Sequence, residues 1–326
     1  MVPAERKQET NVAKPEILAV AKLPPFMMDA LHEAYTVHDR THLEDPAAFA
    51  LAAPRIRAVA ANGEAKVPRG LIEQLPQLGI ISVFGVGYDG VDVTAARERQ
   101  VPVTNTPDVL SDDVADLAVG LLLSVARRIP QADRFVRDGE WLKGPITLAR
   151  KVTGARVGIV GLGRIGKAIA RRLAAFDMEI AYTARSAKAD VPYRFFSTPE
   201  ALAREVDFLV VITPGGAATK GLIDGAVLRA LGPQGYLVNV ARGTVVNQAD
   251  LVQALKDGVI AGAGLDVFEN EPEVPEALRQ MDNVVLTPHM ASATRQTRQA
   301  MADLAVGNLK AYFAGQPLLT PVPECR

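Results

Sequence analysis

Three stretches in the second half of the chain place a chemically active side chain directly after an apolar run: NVARGTVVN with Arg242, GLDVFENEP with Asp266 and Glu271, and LTPHMASAT with His289. Such runs read as buried strands, and strand ends are where an open α/β sheet presents its ligands. Taken singly, each residue has a structural explanation: Arg242 as a surface cation, Glu271 as one acid of an acidic loop, His289 as a helix-cap or core histidine. Within one series of strand ends they read together as a reaction site. A guanidinium grips an anion, an imidazole hands over a proton, and a carboxylate beside the imidazole favours its charged form.

The spacing G-x-G-x-x-G occurs twice, as FGVGYDG over Phe84–Gly90 and as VGLGRIG over Val160–Gly166. On its own the pattern is weak, because glycine serves any tight turn. Gly161, Gly163 and Gly166 follow the strand-like RVGIV and open the helix-like KAIARRLAAF, so the amides of that helix start can meet a dinucleotide pyrophosphate. The helix after Gly85, Gly87 and Gly90 is short and leads into VPVTNTP. That turn is predicted to bind something other than the cofactor: its Val86 and Gly87 amides suit a small anion such as a substrate carboxylate, with a structural turn as the alternative.

A ribose-binding acid is expected about 20 residues beyond the first glycine of an NAD site. Here the strand ends YTARSAK, with Ala184 at 23 positions after Gly161, followed by Arg185, Ser186 and Lys188. Cations and a hydroxyl in place of an acid suit a 2′-phosphate, so NADPH is expected and NADH less favoured.

The elements that must carry these residues alternate. Runs at Ile17, Arg57 and Gly79 form a first strand series with helical stretches such as MMDALHEAY between them. A second series runs through ARVGIVG, EIAYTA, VDFLVVI, QGYLVNV, VIAGAGLDV and NVVLTP. This is the pattern of parallel α/β layers with right-handed crossovers. Between the series, SDDVADLAVGLLLSVARRI reads as a long apolar helix with Ser111 as N-cap, aspartates in its first turn and arginines at its end. It must bury more than one face, within the fold or against a second subunit. A last helix is predicted over about 293–314, followed by the proline-rich GQPLLTPVP.

At 326 residues, two domains are expected. The 36 basic and 37 acidic side chains nearly cancel, which disfavours nucleic acid and anionic lipid as partners and points to small molecules. The single cysteine, Cys325, excludes a disulfide within the chain and suits a reducing cytoplasm. MVPAERKQETNVAKPE lacks the apolar core of a secretory signal, and Val114–Ala126 is too short to span a bilayer.

The stretches NTPDVLSDDVADLAVGLLL, VGIVGLGRIG, VNVARGTVVN, AGLDVFENEP, LTPHMASAT and MADLAVGNL, in this order, resemble the D-isomer-specific 2-hydroxyacid dehydrogenases, and within them the glyoxylate/hydroxypyruvate and hydroxyphenylpyruvate reductases. The resemblance covers nearly all of the chain beyond about residue 80. It implies two Rossmann-like/flavodoxin-like domains with parallel sheets and a cleft between them: residues 1–108 with 299–326 for the substrate, and 109–298 for the dinucleotide. It assigns the catalytic roles to Arg242, Glu271 and His289 and sets Asp266 facing the nicotinamide.

The cofactor set then comprises Gly161, Gly163, Arg164, Ile165, Gly166, Arg185, Ser186, Thr213, Pro214, Val240, Ala241, Arg242, Asp266 and His289. The substrate set comprises Asn62, Val86, Gly87, Tyr88, Arg242 and His289, with Gly63, Trp141 and Met290 bordering the pocket. No metal is expected. The implied activity is NADPH-dependent reduction of a 2-oxoacid to its D-2-hydroxyacid by a homodimer whose contact includes the helix near Ser111. The rival is a dinucleotide-sensing binding protein of the same fold. A phosphoglycerate dehydrogenase is disfavoured by the missing ribose-binding acid and by the lack of an additional regulatory domain, and a formate dehydrogenase by Glu271, where glutamine is expected.

Overall fold

The chain alternates strand and helix twice over. The computed structural model describes residues 13–325, which divide into two units: residues up to Pro107 with those from Gln299 onward, and Asp108–Arg298.

The first unit holds a five-stranded parallel sheet built from β1 (Glu16–Ala19), β2 (Thr36–Asp39), β3 (Ile56–Asn62), β4 (Ile80–Phe84) and β5 (Val103–Thr104), in the order β2-β1-β3-β4-β5. β4, paired on both sides, is buried at every position, as both faces of a parallel sheet are covered by crossover segments. Its core joins Leu18, Phe49, Ile56, Val59, Ile72, Leu75 and Ile81. Two strands depart from the sequence expectation. β2, TVHD, is an edge strand with no apolar face, and β5 is only two residues long, within VPVTNTP.

The second unit holds seven parallel strands: β6 (Arg156–Val160), β7 (Glu179–Thr183), β8 (Arg194–Phe196), β9 (Phe208–Val211), β10 (Tyr236–Asn239), β11 (Gly262–Leu265) and β12 (Val284–Leu286). Their order is β12-β11-β10-β9-β6-β7-β8, so the chain reverses its direction of travel between β6 and β9. In doubly wound sheets such a reversal opens the crevice in which ligands bind, beyond the carboxyl ends of the strands. β8 was not expected: RFF is a three-residue edge strand, too short for a period to show.

The helix Ser111–Arg127 buries Val114, Ala115, Ala118, Leu121, Leu122, Val125 and Ala126, the spacing of a broad apolar stripe. It packs on the helix Arg164–Ala174 and on β10, β11 and β12, so two of its faces are used inside the unit. At Gly264 of β11 an added Cβ would lie 3.0 Å from Leu121 Cβ, so the small residue lets the helix seat on the sheet. Asp112 and Asp113 occupy the first turn and Arg127 the last, matching the helix dipole. The expected cap is corrected: Leu110 stands at the N-cap without a side-chain bond, and Ser111 is already inside the helix. Asp108 and Asp113 instead bond Arg164 and Thr294. The helix Arg295–Phe313 then carries the chain back to the first unit.

Candidate active site

β6 ends on Val160, and the turn that follows is shaped by its glycines. Gly161 has φ +103°, and an added Cβ there would meet the Ile212 carbonyl oxygen at 2.7 Å; at Gly166 it would meet the Gly161 carbonyl oxygen at 2.1 Å. The first is needed for the turn itself and the second for the approach of helix to strand. Gly163, at the N-cap of the helix Arg164–Ala174, faces open space within 4 Å and makes no side-chain cap. That helix therefore begins with amides left for an external anion, and the cradle fits a dinucleotide pyrophosphate. Arg164 pairs with Asp108 at 2.9 Å, and Ile165 is half-buried. Beyond β9 and β10 stand Thr213 and Pro214, and buried Val240 and Ala241.

After β7, Ala184 is half-buried and Arg185, Ser186 and Lys188 are exposed. The turn is held from below: Tyr182, 1 % exposed and tilted against Phe195 at 5.5 Å, accepts the Lys188 amide at 2.6 Å. A carboxylate the sequence reading passed over, Asp190, lies in the same loop, and the Lys167 ammonium bonded to it holds it below the usual carboxylate range. Lys167 belongs to the helix Arg164–Ala174, so the loop is tied to that helix.

Asp266 follows β11, and Thr287 and His289 follow β12, which pairs with β11. Asp266 is fully buried and accepts the Thr287 hydroxyl at 2.6 Å and the Met290 amide at 2.8 Å on Oδ1, and the Ala291 amide at 2.9 Å on Oδ2. Burial pushes its carboxyl up, against the pull of these bonds. His289 has φ +50°, the left-handed region, and its amide bonds the Asp266 carbonyl at 2.8 Å. Its Nδ1 lies 2.7 Å from Glu271 Oε2, while Glu271 Oε1 accepts the Phe268 amide at 2.8 Å. With the carboxylate anchored as acceptor, Nδ1 carries the proton shared in this pair. Both side chains keep partial access to solvent, 27 % and 21 %.

Arg242 stands beyond β10, whose Asn239 pairs in register with Leu265 just before Asp266. The bend is made by Asn239, 1 % exposed: its Oδ1 accepts the Ala241 amide at 3.1 Å and its Nδ2 donates to the Arg242 carbonyl at 3.1 Å. Arg242 Nη1 donates to the Ala241 carbonyl at 2.8 Å. Asn239 and Thr287 are supporting residues the sequence reading did not single out, although both lie inside stretches it quoted; strand-end polar residues that are themselves buried are the signal.

The remaining expected residues belong to the first unit. Asn62 closes β3, and its Oδ1 accepts the amides of Glu64 and Ala65 at 3.1 and 2.8 Å, which shapes the bend through Gly63. The turn after β4 bonds Gly85 O to the Thr106 amide and Val86 O to Asn105 Nδ2, at 2.8 and 2.9 Å. Gly87 lies between Val86 and Tyr88, whose hydroxyl donates to Glu324 at 3.1 Å. Trp141 and Met290, in the second unit, are 68 % and 41 % exposed.

Comparisons with known proteins bear on the family and the fold. Residues 119–291 match the D-isomer specific 2-hydroxyacid dehydrogenase NAD binding domain. The chain is 53 % identical over 274 residues to hydroxyphenylpyruvate reductase of Plectranthus scutellarioides, covering 84 % of this chain and 88 % of that one. It is 45 % identical over 310 residues to 2-ketogluconate reductase of Gluconobacter oxydans, covering 95 % and 99 %. The crystal structure of an NADPH-dependent glyoxylate/hydroxypyruvate reductase of Sinorhizobium meliloti, in complex with NADP and malonate, superposes with a TM-score of 0.90 at 46 % identity, covering 96 % of this chain and 98 % of that chain. Among the described residues no helix is long and apolar enough to cross a membrane.

Proposed function

The chain belongs to the D-isomer specific 2-hydroxyacid dehydrogenase family, and on that premise we propose that it is an NADPH-dependent reductase of glyoxylate, hydroxypyruvate or a related pyruvate, yielding the D-2-hydroxyacid. Reduction of a 2-oxoacid is what its relatives are named for, and a nicotinamide dinucleotide fits the turn around Gly161 and Gly163. The single observation that carries the reading is His289 held by Glu271 at 2.7 Å in a turn clamped by buried Asp266.

When bound, the reduced nicotinamide supplies the hydride. The chain's own residues do the rest. As charge builds on the keto oxygen, His289 donates a proton from Nε2, and Glu271 keeps the ring oriented and stabilises its charged form. Arg242 grips the carboxylate and polarises the carbonyl, with the Val86 and Gly87 amides as further donors. Asp266 presents the His289 turn. Gly161, Gly163, Arg164, Ile165 and Gly166 would hold the pyrophosphate, Arg185 and Ser186 the 2′-phosphate, and Thr213, Pro214, Val240 and Ala241 would line the path to the nicotinamide. The 2′-phosphate preference is supported by the exposed Arg185 and Ser186 and by the Lys167 pairing that neutralises Asp190.

The unit from Asp108 to Arg298 is the dinucleotide domain in this reading, and the other unit binds substrate. A homodimer is supported by an apolar surface: Ile129, Val136, Trp141, Leu142, Ile146 and Leu148 make up six of the twelve exposed large hydrophobics among the described residues. The single cysteine suits a cytoplasmic protein. The deciding experiment follows NADPH oxidation with glyoxylate, hydroxypyruvate and hydroxyphenylpyruvate in turn. Saturable turnover of at least one supports the reading; tight NADPH binding with no turnover of any 2-oxoacid would establish a dinucleotide-sensing protein instead.

A further inference from the structure

The proline-rich segment after the last helix has no role in the reaction as described, yet a chain of hydrogen bonds ties it into the first unit. Asn308, inside the helix Arg295–Phe313, is fully buried and uses its whole amide. Its Nδ2 donates to the Leu304 carbonyl at 2.9 Å and to Thr320 Oγ1 at 2.8 Å, and its Oδ1 accepts the amides of Leu319 and Thr320 at 3.0 and 3.1 Å. A buried amide is costly unless satisfied in this way, so the helix fixes where the segment starts.

From that footing the segment runs antiparallel to β5. Thr320 Oγ1 donates to the Asn105 carbonyl at 2.6 Å, the Asn105 amide returns to the Thr320 carbonyl at 3.3 Å, and the Val322 amide reaches the Val103 carbonyl at 2.9 Å. Val322 is fully buried in the core of the first unit. Two contacts then lead into the turn after β4. Asn105 Nδ2 holds the Val86 carbonyl at 2.9 Å, and Glu324 accepts the Tyr88 hydroxyl at 3.1 Å. Burial, together with the Glu324 charge and hydrogen bond, pushes the Tyr88 hydroxyl up to about 12, so it remains a donor at any working pH. The turn is thus gripped on both sides of Gly87.

We propose that the segment Leu319–Cys325 is a positioning element for the substrate turn: through Tyr88–Glu324 and Asn105–Val86 it holds the Val86 and Gly87 amides in the arrangement that receives the 2-oxoacid carboxylate. This rests on the reading that this turn anchors substrate. The physical need is plain: with glycine at 85, 87 and 90 the turn is intrinsically loose, and ordering it on binding would cost affinity. Pre-ordering it lowers KM without touching the chemical step.

The test compares Glu324→Ala, Glu324→Gln, Tyr88→Phe and the Glu324→Ala/Tyr88→Phe double variant in steady-state reduction of glyoxylate by NADPH. Glu324→Ala is expected to raise KM for glyoxylate about threefold to tenfold, the scale of one hydrogen bond, with kcat and the KM for NADPH unchanged. Glu324→Gln retains an acceptor and should stay near the wild type, which separates the bond from a charge effect on an anionic substrate. Tyr88→Phe should raise KM by a similar factor, and the double variant should add nothing further. An unchanged KM in Glu324→Ala, equal impairment by glutamine and alanine, or multiplying effects in the double variant would overturn the proposal. Amide hydrogen exchange over residues 85–90 locates the failure. Faster exchange in Glu324→Ala with unchanged KM means that the segment holds the turn but the turn does not hold substrate; unchanged exchange means that it does not position the turn at all.

Discussion

The Asp266 carbonyl accepts the His289 amide at 2.8 Å, and the Asp266 carboxylate accepts the two amides that follow, so one buried acid sets the backbone of the turn that carries the imidazole. That turn needs outside support, because His289 sits at φ +50°, where a non-glycine residue is strained by on the order of 1 kcal/mol.

Asp266→Asn is the direct test. An amide offers one acceptor oxygen, so an amide nitrogen must face either Ala291 N–H or the Thr287 and Met290 donors. The turn should loosen, with kcat falling about tenfold or more on the general-acid scale and NADPH affinity changing less. Stability should move differently. The folded carboxyl is raised, so its stabilising contribution is present below the unfolded aspartate value and is lost as pH rises through the folded one. Asn has no such titration, and the variant's unfolding free energy relative to wild type should therefore increase as pH climbs through that window. A difference flat with pH in chemical denaturation would contradict the assignment.

His289→Ala removes the proton donor itself and should lower kcat by about 10²-fold or more. The dissociation constant for NADPH, read from nucleotide fluorescence, should stay close to wild type. Turnover at the wild-type rate would take His289 out of the mechanism.

How far the site could be read from sequence depends on the range of the interactions. Gly161, Gly163 and Gly166 were legible because strand, turn and helix are contiguous, and Arg242, Glu271 and His289 because each follows an apolar run. β2 and β8 escaped because edge strands of four and three residues carry no apolar alternation. Ser111 misled because an apparent N-cap serine one residue inside the helix is indistinguishable by type from one at its start. Glu324 was invisible for a different reason: its partner Tyr88 lies 236 positions away in sequence, and no local pattern encodes such a pairing.

Cofactor preference tests the turn beyond β7. Arg185→Ala with Ser186→Ala should raise KM for NADPH about 10- to 100-fold, the range of one or two charge-assisted hydrogen bonds, and leave KM for NADH nearly constant. Tyr182→Phe keeps the buried ring but removes the acceptor of the Lys188 amide, and should weaken NADPH selectively by a smaller factor. Equal losses for both cofactors in the first variant would remove the 2′-phosphate assignment.

Asp207, just before β9, tests the frame that supports the site. Burial raises its carboxyl, but hydrogen bonds from the Arg156 side chain and backbone and the charges of Arg156 and Arg150 outweigh this and hold it below the ordinary range. A depressed folded value means stability that is present above the unfolded aspartate value and lost as pH falls through the folded one. Asp207→Asn should therefore cost about 1–3 kcal/mol at neutral pH, with the deficit shrinking in acid. Equal deficits at neutral and acid pH would show that the lost stability is packing rather than charge.

The exposed apolar surface between Ile129 and Leu148 gives the last expectation. Leu142 and Leu148 are 94 % and 95 % exposed in the single chain, and burying two such side chains contributes about 1.5–3 kcal/mol each. A monomer would leave that area in water, whereas a symmetric pair would bury it twice. Sedimentation should therefore find a dimer, and Leu142→Glu with Leu148→Glu should shift it toward monomer, since each copy would then place unpaired carboxylates at the contact. A wild-type chain that sediments as a monomer at micromolar concentration would assign this surface to something other than self-association.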